Sequence, residues 1–291
     1  MDGKVGVVIP VYYGRRFLEE TLTSVYRQDY GTPQVVVIED GTPQGEDALE
    51  ICQRYPVTYI RRAENQGVMA CRREGAQHLS DVDYLAFLDQ DDAWHDEFLT
   101  RMTSVLATDP GLGFVASNAR LTDQGGDQPL FGTRVPSLQL EDLKVANQLV
   151  SPSQVLMRMQ AWNSLDLGGD LRGGADDWLV WLAILALGYR AAYVSDMLLD
   201  YRVHSGGAHN ERREMIASER RVVDEWFLKL GFTRADQRRF YGRVALDGLV
   251  QGFRLHQWRV VLQSVGQAIR DPWAFSSAYR FRRRHKAQGL V

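Results

Sequence analysis

Four short apolar runs, at residues 5–9, 35–38, 57–60 and 84–88, constrain this chain more than any other feature. Each is nearly continuous in valine, isoleucine, leucine or aromatic residues. Runs of this length suit strands buried on both faces. Between them lie segments of helical spacing, at about 16–28 (Phe17, Leu18, Leu22, Val25, Tyr26), 46–54 and 67–79. Strands that alternate with helices predict a mainly parallel sheet covered by helices on both faces. Pro10 is expected to end the first strand, because it donates nothing to a ladder.

The rest of the chain is less regular. A helix is predicted over 94–107 and a strand over 113–117. Residues 120–136 hold no period and are rich in Gly, Asp and Gln, as in a lid or binding loop. A strand follows at 152–158, then a glycine-rich loop at 168–174 and an apolar helix from Asp176-Asp177-Trp178 to about 187. Short strands are predicted at 193–194 and 198–202. From about 209 the pattern is helical only, in three or four segments. The expected organisation is therefore an α/β domain over 1–208 and a helical extension over 209–291.

With 291 residues, 45% hydrophobic and 24% charged, the chain reads as globular. No run approaches the roughly 18 apolar residues of a membrane-spanning helix. The start goes straight into strand-like sequence, so no signal peptide is expected. Cys52 and Cys71 fit no disulfide or zinc pattern, and a reducing cytoplasm is the expected location. The net charge of −3 hides an asymmetry: residues 211–291 carry 17 Lys and Arg against 8 Asp and Glu, leaving 17 against 29 in residues 1–210. A basic tail on an acidic body suggests an anionic surface as partner. With Trp273, Phe275 and Tyr279 nearby, peripheral contact with the inner face of a membrane is one expectation. No nucleic-acid partner is expected, and the sequence sets no oligomeric state.

Polar clusters mark the strand ends. Pro10-Val11-Tyr12 closes the first run, Glu39-Asp40-Gly41 the second, and Asp89-Gln90-Asp91 the fourth; Asn65-Gln66-Gly67 through Arg72 opens a helix. Ends of parallel strands share one sheet edge, where open α/β sheets bind ligands. Together the clusters offer an acidic acceptor (Asp40), a cation (Arg72) and a carboxylate pair two residues apart (Asp89, Asp91). That set suits a nucleoside diphosphate with a divalent metal. Neither a Walker sequence nor a GxGxxG sequence is present to cradle phosphates. Asp92 is expected to cap the following helix.

The segments VVIPVYYG (7–14), VVVIEDGT (35–42), NQGVMACRREG (65–75), YLAFLDQDDAW (84–94), GADDWLVWLAILALGYR (174–190) and LLDYRVH (198–204) occur in this order. In that order and spacing the chain resembles an inverting family-two glycosyltransferase of the GT-A (Rossmann-like) fold over roughly residues 4–210. The resemblance implies a nucleotide-sugar donor, UDP- or dTDP-linked, held by a donor half at about 1–118, and a glycan or lipid-linked saccharide acceptor, met by an acceptor half at about 119–208, in polysaccharide or cell-surface glycan synthesis. It implies nucleotide contacts from Pro10, Val11, Tyr12, Asp40, Arg72, Asp89 and Gln90. Asp91 of the DxD motif would hold Mn2+ or Mg2+, with His204 beside it. Asp177 would be the catalytic base, with Asp176 and Trp178 near the transferred sugar. Placed at a helix start, Asp177 is expected to be ionised at neutral pH.

The chain departs from the family pattern at Glu39, Tyr13, Cys71 and Arg73. Three rivals remain at this level. A haloacid-dehalogenase phosphatase would carry its Asp-x-Asp on the first strand. A nucleotidyltransferase would carry a glycine-rich loop there. A degenerate transferase would bind nucleotide as a scaffold subunit without catalysis.

Overall fold

A computed structural model describes residues 3–122, 128–130, 135–168, 174–203 and 212–287, and only the backbone of 128, 212, 213 and 285–287. In chain order the elements are β1 (Val5–Val11), α1 (Leu18–Tyr26), β2 (Gln34–Asp40), α2 (Leu49–Cys52), β3 (Val57–Arg62), α3 (Val68–Gln77), β4 (Tyr84–Phe87), β5 (Ala93–Trp94) and α4 (Phe98–Ala107). Then come β6 (Leu112–Thr122), β7 (Gln128–Pro129), α5 (Leu140–Leu143), a 3-10 turn at Pro152–Gln154, β8 (Val155–Arg158), α6 (Met159–Asn163), α7 (Asp176–Ala186) and β9 (Arg190–Arg202). Four helices end the chain: α8 (Arg212–Trp226), α9 (Arg234–Arg254), α10 (Trp258–Arg270) and α11 (Pro272–Ala287).

The strands form one sheet in the order β3-β2-β1-β4-β8-β6-β9-β5, with β7 paired to β6. β1 runs parallel to β2 and β4, and β2 parallel to β3. β8 lies antiparallel between β4 and β6, while β6 and β9 are parallel. The sheet is thus mainly parallel, as the alternating pattern predicts. All seven residues of β1 are buried, as are the last six of β2. Such strands have helices on both faces, which is why their sequences show no polar alternation.

Several expectations need correction. β1 continues through Pro10 to Val11. Val8 accepts from Leu88 on the β4 side, so two residues on, Pro10 turns its donorless nitrogen towards the side where β4 has already left the ladder. The two short strands expected near 193 and 198 are one strand, β9. Its pairing with β6 shifts register between Ser117 and Ala119, and those irregularities broke the periodic signal. Part of the loop expected over 120–136 is ordered as the end of β6 and as β7; residues 123–127 and 131–134 lie outside the described residues. So do residues 169–173 of the expected glycine loop.

Asp92 does not cap α4. Ala93 and Trp94 pair with β9 first, and α4 begins only at Phe98.

The chain divides into two compact units: Met1–Gly132 with Leu149–Ser218, and Thr133–Gln148 with Glu219–Val291. The α/β unit therefore extends past the boundary expected at 208. The stretch 133–148, expected in the acceptor half, groups with the C-terminal helices. Three cations account for this. Arg243 donates to the Val145 carbonyl at 3.1 Å, Arg239 salt-bridges Glu141 at 3.4 Å, and Lys144 sits 4.7 Å from the centre of the Phe232 ring.

Candidate active site

The carboxyl ends of β1, β2 and β4 open onto a cleft of about 450 Å³. The 3-10 turn, the end of β9 and the start of α7 complete its walls. Pro10, Val11, Tyr12, Asp40, Arg72, Asp89, Gln90, Asp91, Asp176 and Asp177 all line it. Of the expected site residues that are described, Trp178 alone does not. Trp178 is fully buried and packs the core behind Asp177, so it presents no ring to a sugar. His204 lies outside the described residues.

Arg72 organises the cleft. Leaving α3, its guanidinium donates to Asp176 at 2.5 Å and to Asp89 at 2.9 Å, while its Nε is buried without a hydrogen-bond partner among the described residues. One cation thus ties together the ends of two motifs 87 residues apart. The Ser151 hydroxyl lies 3.3 Å from Asp89 Oδ2 and 3.1 Å from Asp92 Oδ2. The Asp89 backbone N–H also donates to the Ser153 hydroxyl oxygen at 3.0 Å. Ser151 and Gln154 themselves form a reciprocal capping box.

Other expected contacts already have structural partners. Asp40 accepts from the backbone N–H of Gln66 at 3.0 Å and Gly67 at 2.8 Å, and pairs with Arg62 at 3.3 Å. It thereby shapes the turn into α3. Gly41 permits that turn: at φ 79°, a Cβ there would lie 2.4 Å from the Asn65 nitrogen. Gln90 exchanges two hydrogen bonds with the Tyr12 backbone, at 2.8 and 3.1 Å, which pins the β1 end to the DxD loop. Glu39 is buried beneath, accepting from Thr42 and from the Ala48 N–H.

The electrostatics are lopsided. Five aspartates and two arginines line the cleft, and Arg202 salt-bridges to Glu20 at 2.7 Å. Burial, then Asp89 and Asp91, push the Asp92 carboxyl well above its ordinary range. Burial also raises Asp89, with Arg72 opposing. Asp177 is pushed up to about 7 by burial and by Asp176, against the pull of Arg72 and of a 2.6 Å hydrogen bond from the Trp178 N–H. This corrects the expectation that Asp177 is fully ionised at neutral pH: the helix start helps, but desolvation beside a second carboxylate wins.

Among the described residues no group of three or more His, Cys, Asp or Glu side chains is placed to enclose a metal ion. A hard divalent cation needs no such cage, because phosphate oxygens and water can fill most of its shell around one or two carboxylates. Asp91, half-buried at the cleft wall beside Asp89, fits that pattern. The surplus of buried carboxylate supplies the matching charge.

An α/β sheet ordered this way, with carboxylates gathered where its strands end, has known counterparts. The model of the glycosyl transferase family 2 domain matches residues 6–167, more than half of the chain. The chain belongs to glycosyl transferase family 2. It is a glycosyltransferase with the GT-A-like α/β fold, and the phosphatase and nucleotidyltransferase readings fall away.

Among curated relatives it is 24% identical, over 68% of its length and 79% of theirs, to TuaG, a Bacillus subtilis glycosyltransferase provisionally assigned to teichuronic acid biosynthesis. Among solved structures it resembles S. aureus TarS 1-349 in complex with UDP-GlcNAc, with TM-score 0.66 and 16% identity, over 99% of this chain and 93% of that one. It also resembles the mannosyltransferase PcManGT from Pyrobaculum calidifontis in complex with GDP-Man and Mn2+, with TM-score 0.58 and 19% identity, over 99% and 76%.

Sequence reasoning missed several cleft residues in this family 2 member. Ser151 and Pro152 come from the 3-10 turn, Tyr201 and Arg202 from β9, and Met215 from α8. The S-x-x-Q capping signature at Ser151–Gln154 was readable as a turn. Nothing in it points to Asp89, which is 62 residues away.

Proposed function

We propose that this enzyme transfers a sugar from a nucleoside-diphosphate donor to a hydroxyl of a glycan or lipid-linked saccharide, with inversion, in polysaccharide or cell-surface glycan synthesis. The observation that carries the proposal is the gathering of Asp89, Asp91, Arg72, Asp176 and Asp177 in one cleft at the ends of the parallel strands. The bound ligands of the TarS and PcManGT structures, and the role given to TuaG, support the substrate classes. UDP or dTDP is the nucleotide proposed.

The roles follow from placement. The β1 end, with Pro10, Val11 and Tyr12, and the β2 end, with Asp40, form the nucleotide side. Asp40 Oδ1 already accepts from Gln66 and Arg62, so Oδ2, which accepts from Gly67, is the oxygen with a lone pair for a base N–H. Asp89, steadied by Arg72 and Ser151, faces the ribose and diphosphate.

Asp91 would hold a divalent cation, Mn2+ or Mg2+. Its chemistry when bound is to neutralise the leaving diphosphate. Asp177 takes the proton from the acceptor hydroxyl as that oxygen attacks the anomeric carbon. A value near 7 suits a general base working near neutral pH. Asp176 holds Arg72 in place, and so keeps the base beside the donor loop. A single protein carboxylate suffices, because a diphosphate leaves without protonation.

Isothermal calorimetry against UDP, dTDP, GDP and their sugars, with and without Mn2+, tests the donor site. The expected result is micromolar-range binding of one nucleotide that weakens when EDTA is added. Absence of nucleotide binding in every mixture overturns the assignment.

A further inference from the structure

The C-terminal unit carries an apolar face that its own packing does not use. In α10, Val261 and Ser264 face inward. Gly248 and Gly252 of α9 make that approach close: a Cβ on Gly248 would lie 2.5 Å from Ser264 Oγ, and one on Gly252 would lie 2.8 Å from a Val261 methyl carbon. Glycines on one helix thus fix which face of the other is buried.

The remaining apolar residues are left outside. Trp258, Leu262 and Ile269 are 59, 70 and 73% exposed, and with Val265 they follow the i, i+4, i+7, i+11 spacing of one stripe. The preceding turn, where His256 takes a left-handed conformation (φ 54°), adds exposed Leu255, with Phe253 edge-on to Trp258 at 5.7 Å. A contiguous exposed patch of this kind marks an interaction surface.

Its surroundings state the chemistry of the occupant. Arg254, Arg259 and Arg270 are exposed beside the stripe and form no ion pair among the described residues. Residues 248–291 contain eight Lys and Arg and a single acid, Asp271. That acid is already held by Arg238 through two bonds of 2.7 and 2.8 Å.

We infer that α10 docks the protein on an anionic bilayer surface, with Trp258, Leu262 and Ile269 entering the headgroup boundary and the arginines meeting lipid phosphates. A helix with an apolar stripe, a basic flank and an interfacial Trp has the physical requirements for lying in a membrane surface. A second copy of this chain fits less well. A two-fold contact through this stripe would set two uncompensated arginine groups against each other. The apolar contact is assigned to α10, and the arginine-rich end of α11 adds charge rather than insertion. The inference stands independently of the transfer reaction proposed above.

Flotation of the full chain with liposomes tests it. Vesicles of phosphatidylcholine with about a third phosphatidylglycerol should carry the protein up the gradient, while pure phosphatidylcholine vesicles should not. Leu262→Glu with Ile269→Glu should lower the bound fraction by roughly tenfold or more, since both side chains would place charge in the boundary. Circular dichroism and the thermal midpoint check that the variant is folded. Arg259→Glu with Arg270→Glu, on the basic flank of the stripe, should also lower binding, and 0.5 M NaCl should weaken it.

Absence of flotation with anionic vesicles overturns the inference, as does equal binding to neutral ones. Unchanged binding by the folded Leu262→Glu/Ile269→Glu variant overturns the assignment to α10. A concentration-dependent dimer in sedimentation velocity that the same variant abolishes assigns the face to self-association and overturns membrane docking.

Discussion

The cleft and the last two helices carry opposite electrostatic imbalances, in opposite solvent settings. The cleft sets five aspartates against two arginines, with Arg72, Asp89, Asp176 and Asp177 drawn into a shared buried system. Residues 248–291 set eight cations against one acid, and six of the arginines are exposed among the described residues. Exposed charges of one sign cost little, because water and salt screen them. Buried ones cost several kcal/mol each unless a counter-charge arrives. The same formal imbalance therefore means different things: in the cleft it calls for a cationic partner at close range, and on the helices it only biases which surfaces approach.

Substitutions can break that contrast, beginning where burial is deepest. Asp177→Asn should lower turnover by roughly 10²–10⁴-fold, the range for losing a general base, with nucleotide affinity by calorimetry within a factor of about two to three, a span worth less than 1.4 kcal/mol. Turnover close to wild type would remove Asp177 from the reaction. Arg72→Met should cost about 3–5 kcal/mol in urea unfolding, because buried Asp176 and half-buried Asp89 would lose their cation. An equal change at an exposed arginine such as Arg259 should stay within about 0.5 kcal/mol. If the two costs match, the contrast between the regions fails.

Much of this was legible from the residues. The apolar runs 5–9, 35–38 and 84–88 led to the parallel strands, and the polar clusters behind them led to one cleft edge. Three things were not legible. The bulged register of β9 hides its length. The partnership of Ser151 with Asp89 depends on β8 running antiparallel beside β4, which no local pattern encodes. The raised Asp177 carboxyl depends on burial against Asp176, whereas sequence shows only a favourable helix start.

Smaller effects sharpen the picture. Ser151→Ala should destabilise the protein by about 1–3 kcal/mol, read from the denaturant midpoint, because the hydroxyl shared by buried Asp92 and half-buried Asp89 is lost. It should also weaken nucleotide binding. Unchanged stability and affinity would mean that Ser151 is incidental to the donor loop.

The pH dependence has a definite sign. A carboxyl raised to about 7 in the folded state stabilises the fold while protonated, and that contribution is lost as pH rises from the ordinary carboxylate range through 7. The thermal midpoint of Asp177→Asn relative to wild type should therefore climb between pH 4 and pH 8. Wild-type turnover should rise over the upper part of the same span as the base ionises. A difference in midpoint that stays flat with pH would show that Asp177 titrates normally.

The position of β8 also has a consequence for how the chain acquires its shape. The parallel set β3-β2-β1-β4 is complete once residue 87 has been made, yet the free side of β4 is covered only by residues 155–158. For about 70 residues of synthesis a buried-type strand, Tyr84–Phe87, stands as an open edge, the kind of edge that recruits neighbouring chains. The motifs proposed to hold the donor all lie within the first 92 residues, but they do not make a detachable module. A piece ending near residue 118 would keep Asp40, Asp89 and Asp91, lack the strand that seals that side, and aggregate.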